Sequence, residues 1–340
     1  MGIIERKQRW LDLYEGKRRT AIIVELKEYG VKPYLTRENT NAFFGWNINR
    51  YRAMTESMEW LDDENIPHVT LNTGTHIFAE VFGCPVLYPG NTNPYARPCI
   101  FNAREMAKLK QPVLENSSLM DIIEFARKLQ KAAPDAMIQL PDIQSPLDIA
   151  AIIWEKADFF TNMIDEPQAV KDLMEMVYKL LTGFLDLWFK TFGNEFIAHH
   201  PAYYMPFGIT LSEDEIGSIS TEQFREFAWP GLCRLSEKYG GRIGIHCCAD
   251  AKHQWGLLKN IPGFTLFNLS PYHNIEATAK EASVFFRDGP PIWMRGPAMN
   301  GYHDFHSRAV LLAYADSKEK ALQELKRLRE YSQKFTKLQE

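Results

Sequence analysis

An α/β fold, a single (β/α)8 TIM barrel behind an N-terminal helical extension, is predicted by three observations. Short apolar, β-branched runs alternate with amphipathic stretches of helical period, the pattern of parallel strands covered by helices. The 340 residues, 45% of them hydrophobic, suffice for a barrel and its core. No internal repeat, low-complexity tract or linker divides the sequence, so one domain over residues 1–340 is expected. An open doubly wound sheet is the alternative, because both architectures bury parallel strands and periodicity does not separate them.

The first element is an amphipathic helix at about residues 3–15. Ala21-Ile22-Ile23-Val24-Glu25-Leu26 follows as a strand on the strength of its β-branched run. A helix over residues 49–64 leads to a second strand, His68 to Asn72. Residues 79–118, rich in Pro, Gly and Asn, form a long excursion. A helix at about 118–133 precedes a strand from Ala136 to Asp142, and helices follow at 146–163 and 167–190. The second of these opens with Asp165-Glu166-Pro167, which puts proline in the first turn and acidic residues at the positive end of the dipole. Glu195 to His200 is a strand. Ser220 and Gln223 have capping-box spacing and open another helix. Strands are expected at 242–248, 264–269 and 291–295, and a last helix at about 316–337 with Leu322, Leu325, Leu328 and Tyr331 on one face.

Bulk properties narrow the function. A formal charge of −4, with 39 basic and 43 acidic side chains, offers no basic face for phosphate neutralisation, so nucleic acid is not an expected partner. No polybasic block and no run of about 18 uncharged apolar residues is present, so no membrane partner is expected either. The charged start, Met1 to Trp10, lacks the apolar core of a signal peptide. Five scattered cysteines are not a disulfide framework, and a reducing cytoplasm is the expected setting.

The sharpest chemical signal is Ile243-Gly244-Ile245-His246-Cys247-Cys248. Alternation along a strand points His246 and Cys248 to one side and Cys247 to the other. An imidazole and a thiol together are a half-site for zinc. The bland reading is a hydrogen-bonded histidine beside a buried, inert thiol. Polar residues gather at the same strand ends: Glu25, Asn72, Thr73, His76, Asp142, Gln144, His199, His200, Asn268 and Arg295. In a barrel the carboxyl ends of the strands carry the active site. Ser212-Glu213-Asp214-Glu215 offers carboxylates, although acidic clusters before a helix are ordinarily solvated caps. Adjacent Cys247 and Cys248 lack the spacing of a redox motif. Gly240-Gly241-Arg242 enters a strand instead of leaving one, so it is no phosphate loop.

Three blocks carry a family resemblance: Leu211-Ser212-Glu213-Asp214, the run from Ser220 through Phe224 and Phe227 to Pro230, and Gly244 to Cys248. They resemble the acidic pair, the "S-x-x-x-F-x-x-F-x-x-P" helix and the "H-x-C" strand of the uroporphyrinogen decarboxylase superfamily. Pro141 to Asp148, Phe159-Phe160 and Asp165-Glu166-Pro167 are similar to its central portion, and the resemblance spans nearly the whole chain. It implies the (β/α)8 barrel. The "R-Q-A-G-R" of true uroporphyrinogen decarboxylase is missing after the first strand, where Leu26-Lys27-Glu28-Tyr29-Gly30 stands. The "H-x-C" strand points to the cobalamin-dependent, coenzyme M methyltransferase-like branch.

In that branch zinc is held by the His, the Cys and a cysteine far downstream. His246 and Cys248 match, but no cysteine follows Cys248; Glu213, Asp214, His199 and His200 are the candidates to replace the third ligand, with Glu213 the first choice. The resemblance thus implies zinc and a methyl group moved between a small substrate and a thiol or corrinoid acceptor. Asp214, Tyr204 and Arg295 are the expected catalytic residues, and His199 and Asn268 the expected cofactor contacts. Expected partners are a small-molecule substrate, a separate corrinoid protein and a second copy in a homodimer. Two alternatives stand beside this: a metal-free carboxy-lyase using Asp214 or Tyr204 for proton transfer and Arg295 as a carboxylate clamp, and a non-catalytic binding barrel.

Overall fold

A computed structural model describes residues 1–27, 33–89, 93–269, 275–290, 292–295 and 306–336. The strands are β1 (Thr20–Leu26), β2 (His68–Val69), β3 (Val86–Leu87), β4 (Tyr95–Ala96), β5 (Met137–Ile138), β6 (Phe196–Ile197), β7 (Tyr204–Met205), β8 (Ile209–Ser212), β9 (Ile243–Cys247), β10 (Phe264–Leu269), β11 (Ile292–Arg295) and β12 (Ala309–Ala315). The α-helices are α1 (Ile3–Tyr14), α2 (Thr40–Ser57), α3 (Ile77–Val81), α4 (Ala103–Met106), α5 (Ser118–Ala132), α6 (Pro146–Ile153), α7 (Lys156–Asp165), α8 (Pro167–Phe192), α9 (Thr221–Gln223), α10 (Trp229–Lys238), α11 (Trp255–Leu258), α12 (Ile275–Phe285) and α13 (Lys318–Thr336).

Six strands make one parallel sheet in the order β1-β12-β11-β10-β9-β8. β1 and β12 pair over seven residues, from Thr20↔Ala309 to Leu26↔Ala315. Six of the seven residues in each are buried, so both faces are covered, as an all-parallel sheet requires. Helices supply the cover. Along α8 the buried residues Val170, Leu173, Val177, Leu181, Phe184 and Trp188 follow a helical stripe, and Gly193 ends the helix at φ 87°.

The rest of the expected ring is joined more thinly. β2 pairs with β5 in parallel over two residues, Gln139 bridges Ile197, and Gln144 bridges Ser212. Among the described residues no ladder joins β1 to β2. The segment after α2 takes that edge of β1 instead: Ile22 N–H donates to Glu64 Oε2 (2.6 Å), Val24 N–H donates to Asp63 Oδ2 (2.9 Å), and Ile22 O accepts from Glu64 N (2.8 Å). Among the described residues the structure is therefore an α/β fold, mostly parallel, whose strand ladders do not close a ring.

Several boundaries differ from expectation for physical reasons. The helix expected at 49–64 runs instead over Thr40–Ser57, because Asp63 and Glu64 serve as acceptors for β1. The helix expected at 146–163 divides at Trp154, which is extended, and restarts where the Glu155 side chain accepts from Asp158 N. The excursion at 79–118 holds α3, the β3–β4 hairpin and α4. The capping box at Ser220 and Gln223 is formed in both directions. On α13, Leu325, Leu328 and Tyr331 are buried, whereas Leu322 is 41% exposed and Ala321 takes its place in the core.

Candidate metal centre at the carboxyl ends of the strands

β9 passes between β8 and β10, with Thr210↔Gly244, Ser212↔His246 and Asn268↔His246 in register. Neighbours in register share a face, so Ser212, His246 and Asn268 form one row, and alternation adds Asp214 and Cys248 just beyond it. Gly244 is needed in the same column. A Cβ there would lie 2.9 Å from Thr210 Cγ2 and 3.2 Å from Leu266 Cβ, so a larger residue would push its neighbours apart below His246.

The ligand atoms of Asp214, His246 and Cys248 all lie within 4.8 Å of one another, and the three residues are half-buried. Asp214 Oδ1 also accepts from the Cys248 backbone N–H at 2.6 Å. His246 Nδ1 hydrogen-bonds Asn268 Oδ1. As an acceptor, that oxygen puts the ring proton on Nδ1 and leaves Nε2 with a lone pair. Asn268 is 1% exposed, so its grip on the ring is shielded from competing water. The His200 ring meets the His246 ring edge-on, centroids 4.6 Å apart.

A buried carboxylate holds the turn that carries Asp214. Asp148, on α6, accepts from Asp214 N (2.8 and 3.1 Å) and Glu215 N (2.9 Å), while its own N–H is capped by Ser145 Oγ at 3.0 Å. Burial, then the nearby Asp214 charge, pushes the Asp148 carboxyl well above the ordinary range, against the two backbone donors. Sequence reasoning gave Asp148 no role. Its signal was the S-x-x-D spacing from Ser145, which marks the start of α6; the Asp side chain itself turns to the backbone that follows β8.

The other expected residues are placed as follows. Glu213, one residue before Asp214, takes the opposite face, where burial and then Asp148 push its carboxyl well up while the Ser145 hydroxyl opposes the shift. Its backbone N–H donates to His246 O at 2.8 Å, but its carboxylate is not brought into the cluster; Asp214 stands there instead. Tyr204 is also elsewhere. Its ring lies under Lys7 Nζ at 5.5 Å, and burial together with Glu195 raises its phenol. Lys7 and Glu195 belong to α1 and to the start of β6, the amino end of the strands. His199 Nε2 lies 3.6 Å from Asp142 Oδ2, beside His200. Arg295 ends β11 in register with Leu312, and its side chain falls outside the described residues. Cys247 faces away, fully buried, and burial pushes its thiol well up.

The model of the family "Uroporphyrinogen decarboxylase (URO-D)" matches residues 57–288, about two thirds of the chain. The chain belongs to the uroporphyrinogen decarboxylase family. Asp148, Asp214, His246, Cys248 and Asn268 all lie inside the matched span, and Arg295 lies beyond it. Among solved structures, a methyltransferase from Methanosarcina mazei has a similar fold. It superposes at a TM-score of 0.66 and 13% sequence identity, covering 97% of this chain and 99% of that one. No curated protein sequence matches the chain significantly. The family match covers the strands and turns that carry Asp214, His246 and Cys248, and the structural likeness extends over nearly the whole chain.

Proposed function

We propose that this member of the uroporphyrinogen decarboxylase family is a methyltransferase-like enzyme in which Asp214, His246 and Cys248 hold zinc. The observation that carries the reading is the convergence of one oxygen, one nitrogen and one sulfur donor within 4.8 Å. That donor set suits zinc, whose catalytic sites use three protein ligands and leave a position for substrate. When bound, the metal supplies Lewis acidity that keeps an acceptor thiol or hydroxyl deprotonated near neutral pH.

The protein's own part is to orient and hold. Asn268 fixes the tautomer and rotation of His246, the Cys248 backbone N–H holds Asp214 in place, and Asp148 fixes the turn beneath it. We take the parallel sheet to complete a (β/α)8 barrel in one domain, and a corrinoid on a separate protein to be the methyl donor or acceptor. The match to a methyltransferase fold over nearly the full length of both chains agrees with this reading. Of the two acid–base groups named for a metal-free lyase, Tyr204 lies toward the amino ends of the strands, whereas Asp214 stands beside His246 and Cys248.

Metal analysis of purified protein is expected to find about one zinc per chain, as a three-donor site holds. His246→Ala and Cys248→Ala are expected to abolish binding. Methylcobalamin and a small thiol are the probe substrates, with loss of the cobalt–methyl absorbance as the readout. A wild-type protein that is free of metal and still active would overturn the proposal.

A further inference from the structure

Away from the strand ends, two other thiols are in contact. Cys84 Sγ lies 3.3 Å from Cys99 Sγ, at the base of the β3–β4 hairpin. Both are reduced in this structure. Backbone bonds fix each side of the pair: Cys84 N donates to Ala79 O (3.1 Å), Cys99 N to Ile153 O (2.9 Å) and Arg97 N to Pro85 O (2.8 Å). The thiols are thus brought together by anchors on α3, on α6 and across the hairpin, not by a chance of side-chain rotamer.

We infer that Cys84 and Cys99 are an oxidisable dithiol that closes to a disulfide under a peroxide. A disulfide bond is about 2.05 Å long, so closure asks for an approach of little more than an ångström. Cys99 is half-buried and Cys84 buried, which makes Cys99 the thiol a small oxidant reaches first. The contact between them works the same way: the hydrogen bond from Cys84 lowers the Cys99 thiol and, with burial, raises Cys84. A second bond of 3.7 Å, from Cys99 Sγ to Phe82 O, is given up when Cys99 ionises.

The chemistry balances with hydrogen peroxide as oxidant. The Cys99 thiolate attacks one peroxide oxygen, the O–O bond breaks, and the departing hydroxide takes a proton to become water, leaving a sulfenic acid. Cys84 sulfur then attacks the Cys99 sulfur, the S–O bond breaks, and the hydroxide leaves with the Cys84 proton as a second water. Two thiols lose two electrons and the peroxide gains them. The disulfide then ties the two ends of the hairpin, whose Tyr88 stacks edge-on against His76 at 5.6 Å and lines a cavity of about 280 Å³ with it.

The other cysteines are not arranged for this. Cys233 is pushed up to about 11 by burial, Cys247 is buried on the outer face, and Cys248 belongs to the proposed metal centre. The test treats full-length protein with a small molar excess of hydrogen peroxide, blocks the remaining thiols by alkylation, and maps peptides by mass spectrometry. A Cys84–Cys99 cross-linked peptide is expected, with both thiols lost together and both restored by dithiothreitol. In Cys84→Ser the cross-link is absent and Cys99 advances to sulfinic acid; Cys99→Ser, as the second variant, leaves Cys84 alkylated. Recovery of both wild-type cysteines as alkylated thiols after peroxide would overturn the inference, as would sulfinic acid at Cys99 with no cross-link.

Discussion

His246 is gripped by a side chain that is almost entirely out of water, and that contact decides which ring nitrogen is left for chemistry. Asn268→Ala removes the acceptor for the Nδ1 proton. Zinc affinity is expected to fall about 10- to 100-fold, the usual cost of losing a histidine's outer partner, with the far-ultraviolet circular dichroism unchanged; competition against a chromophoric chelator measures it. His76 gives a residue-scale test of a different kind. It is 4% exposed, and burial holds its imidazole below the ordinary value of 6.5, against the pull of Glu80 and Asp142. A histidine with a depressed folded pKa contributes stability above 6.5 and loses it as the pH falls through the folded value. His76→Gln should therefore flatten the acid limb of the urea midpoint against pH, and a limb of unchanged steepness would contradict the assignment. At this scale much of the site was legible. Alternation alone puts His246 and Cys248 on one side and Cys247 on the other. The same parity favours Asp214 over Glu213, but only once Ser212 is known to pair with His246, and the four-residue strand β8 was too short to announce itself.

The turn between β8 and the helix after it depends on α6. Asp148 is the shared acceptor for two successive backbone N–H groups, and Asp214 enters the cluster only because that turn is fixed. Asp148→Ala strands both donors in a part-buried site. A buried donor left unsatisfied costs about 1–3 kcal/mol, and with partial solvent access the expected loss for the pair is about 2–3 kcal/mol in urea unfolding. Zinc binding should weaken in the same variant, whereas an Asp148→Asn variant, which keeps one acceptor oxygen, should lie between. Equal affinity in all three would separate the turn from the centre. Elements as a class were legible where β-branched or periodic, as in β1, β9, β10, α5 and α8. They were missed where composition misleads. β12 is Ala-Val-Leu-Leu-Ala-Tyr-Ala, mostly good helix formers, and it becomes a strand because the β1 edge offers seven residues of pairing. Of the β6–β7 hairpin the pattern shows only the first strand, expected over Glu195 to His200 and formed over Phe196–Ile197, while the two residues of β7 give no period of their own.

Across the whole molecule, the first helix is tied to the sheet through the segment that caps β1. Arg6, 1% exposed, donates to Asp63 Oδ1 (2.5 Å), Asn65 O (2.6 Å) and Leu61 O (2.5 Å), and Trp10 Nε1 donates to Glu64 O (2.8 Å). The parallel architecture was legible from alternation and length. This clasp was not, because a pair of acidic residues at the end of a helical pattern looks like a solvated face until the strand edge it covers is known. Burial raises Asp63 from an ordinary 3.8 to about 6, with Arg6 and the Val24 N–H pulling the other way. The sign follows from proton counting: between about 4 and 6 the folded chain binds a proton that the unfolded chain has released. The contribution is complete below the unfolded value and is lost as the pH rises through about 6. A shift of about two units corresponds to roughly 3 kcal/mol. The difference in unfolding free energy between wild type and Asp63→Asn should therefore fall as the pH is raised from about 4 to 7. Arg6→Ala sharpens the test, since it leaves a buried carboxylate without its cation, a loss of about 3–5 kcal/mol when the carboxylate is ionised. Near pH 5 Asp63 can stay protonated and the loss should be smaller than near pH 7.5. An Arg6→Ala penalty that is the same at both pH values would show that the Asp63 proton plays no part in holding the first helix to the sheet.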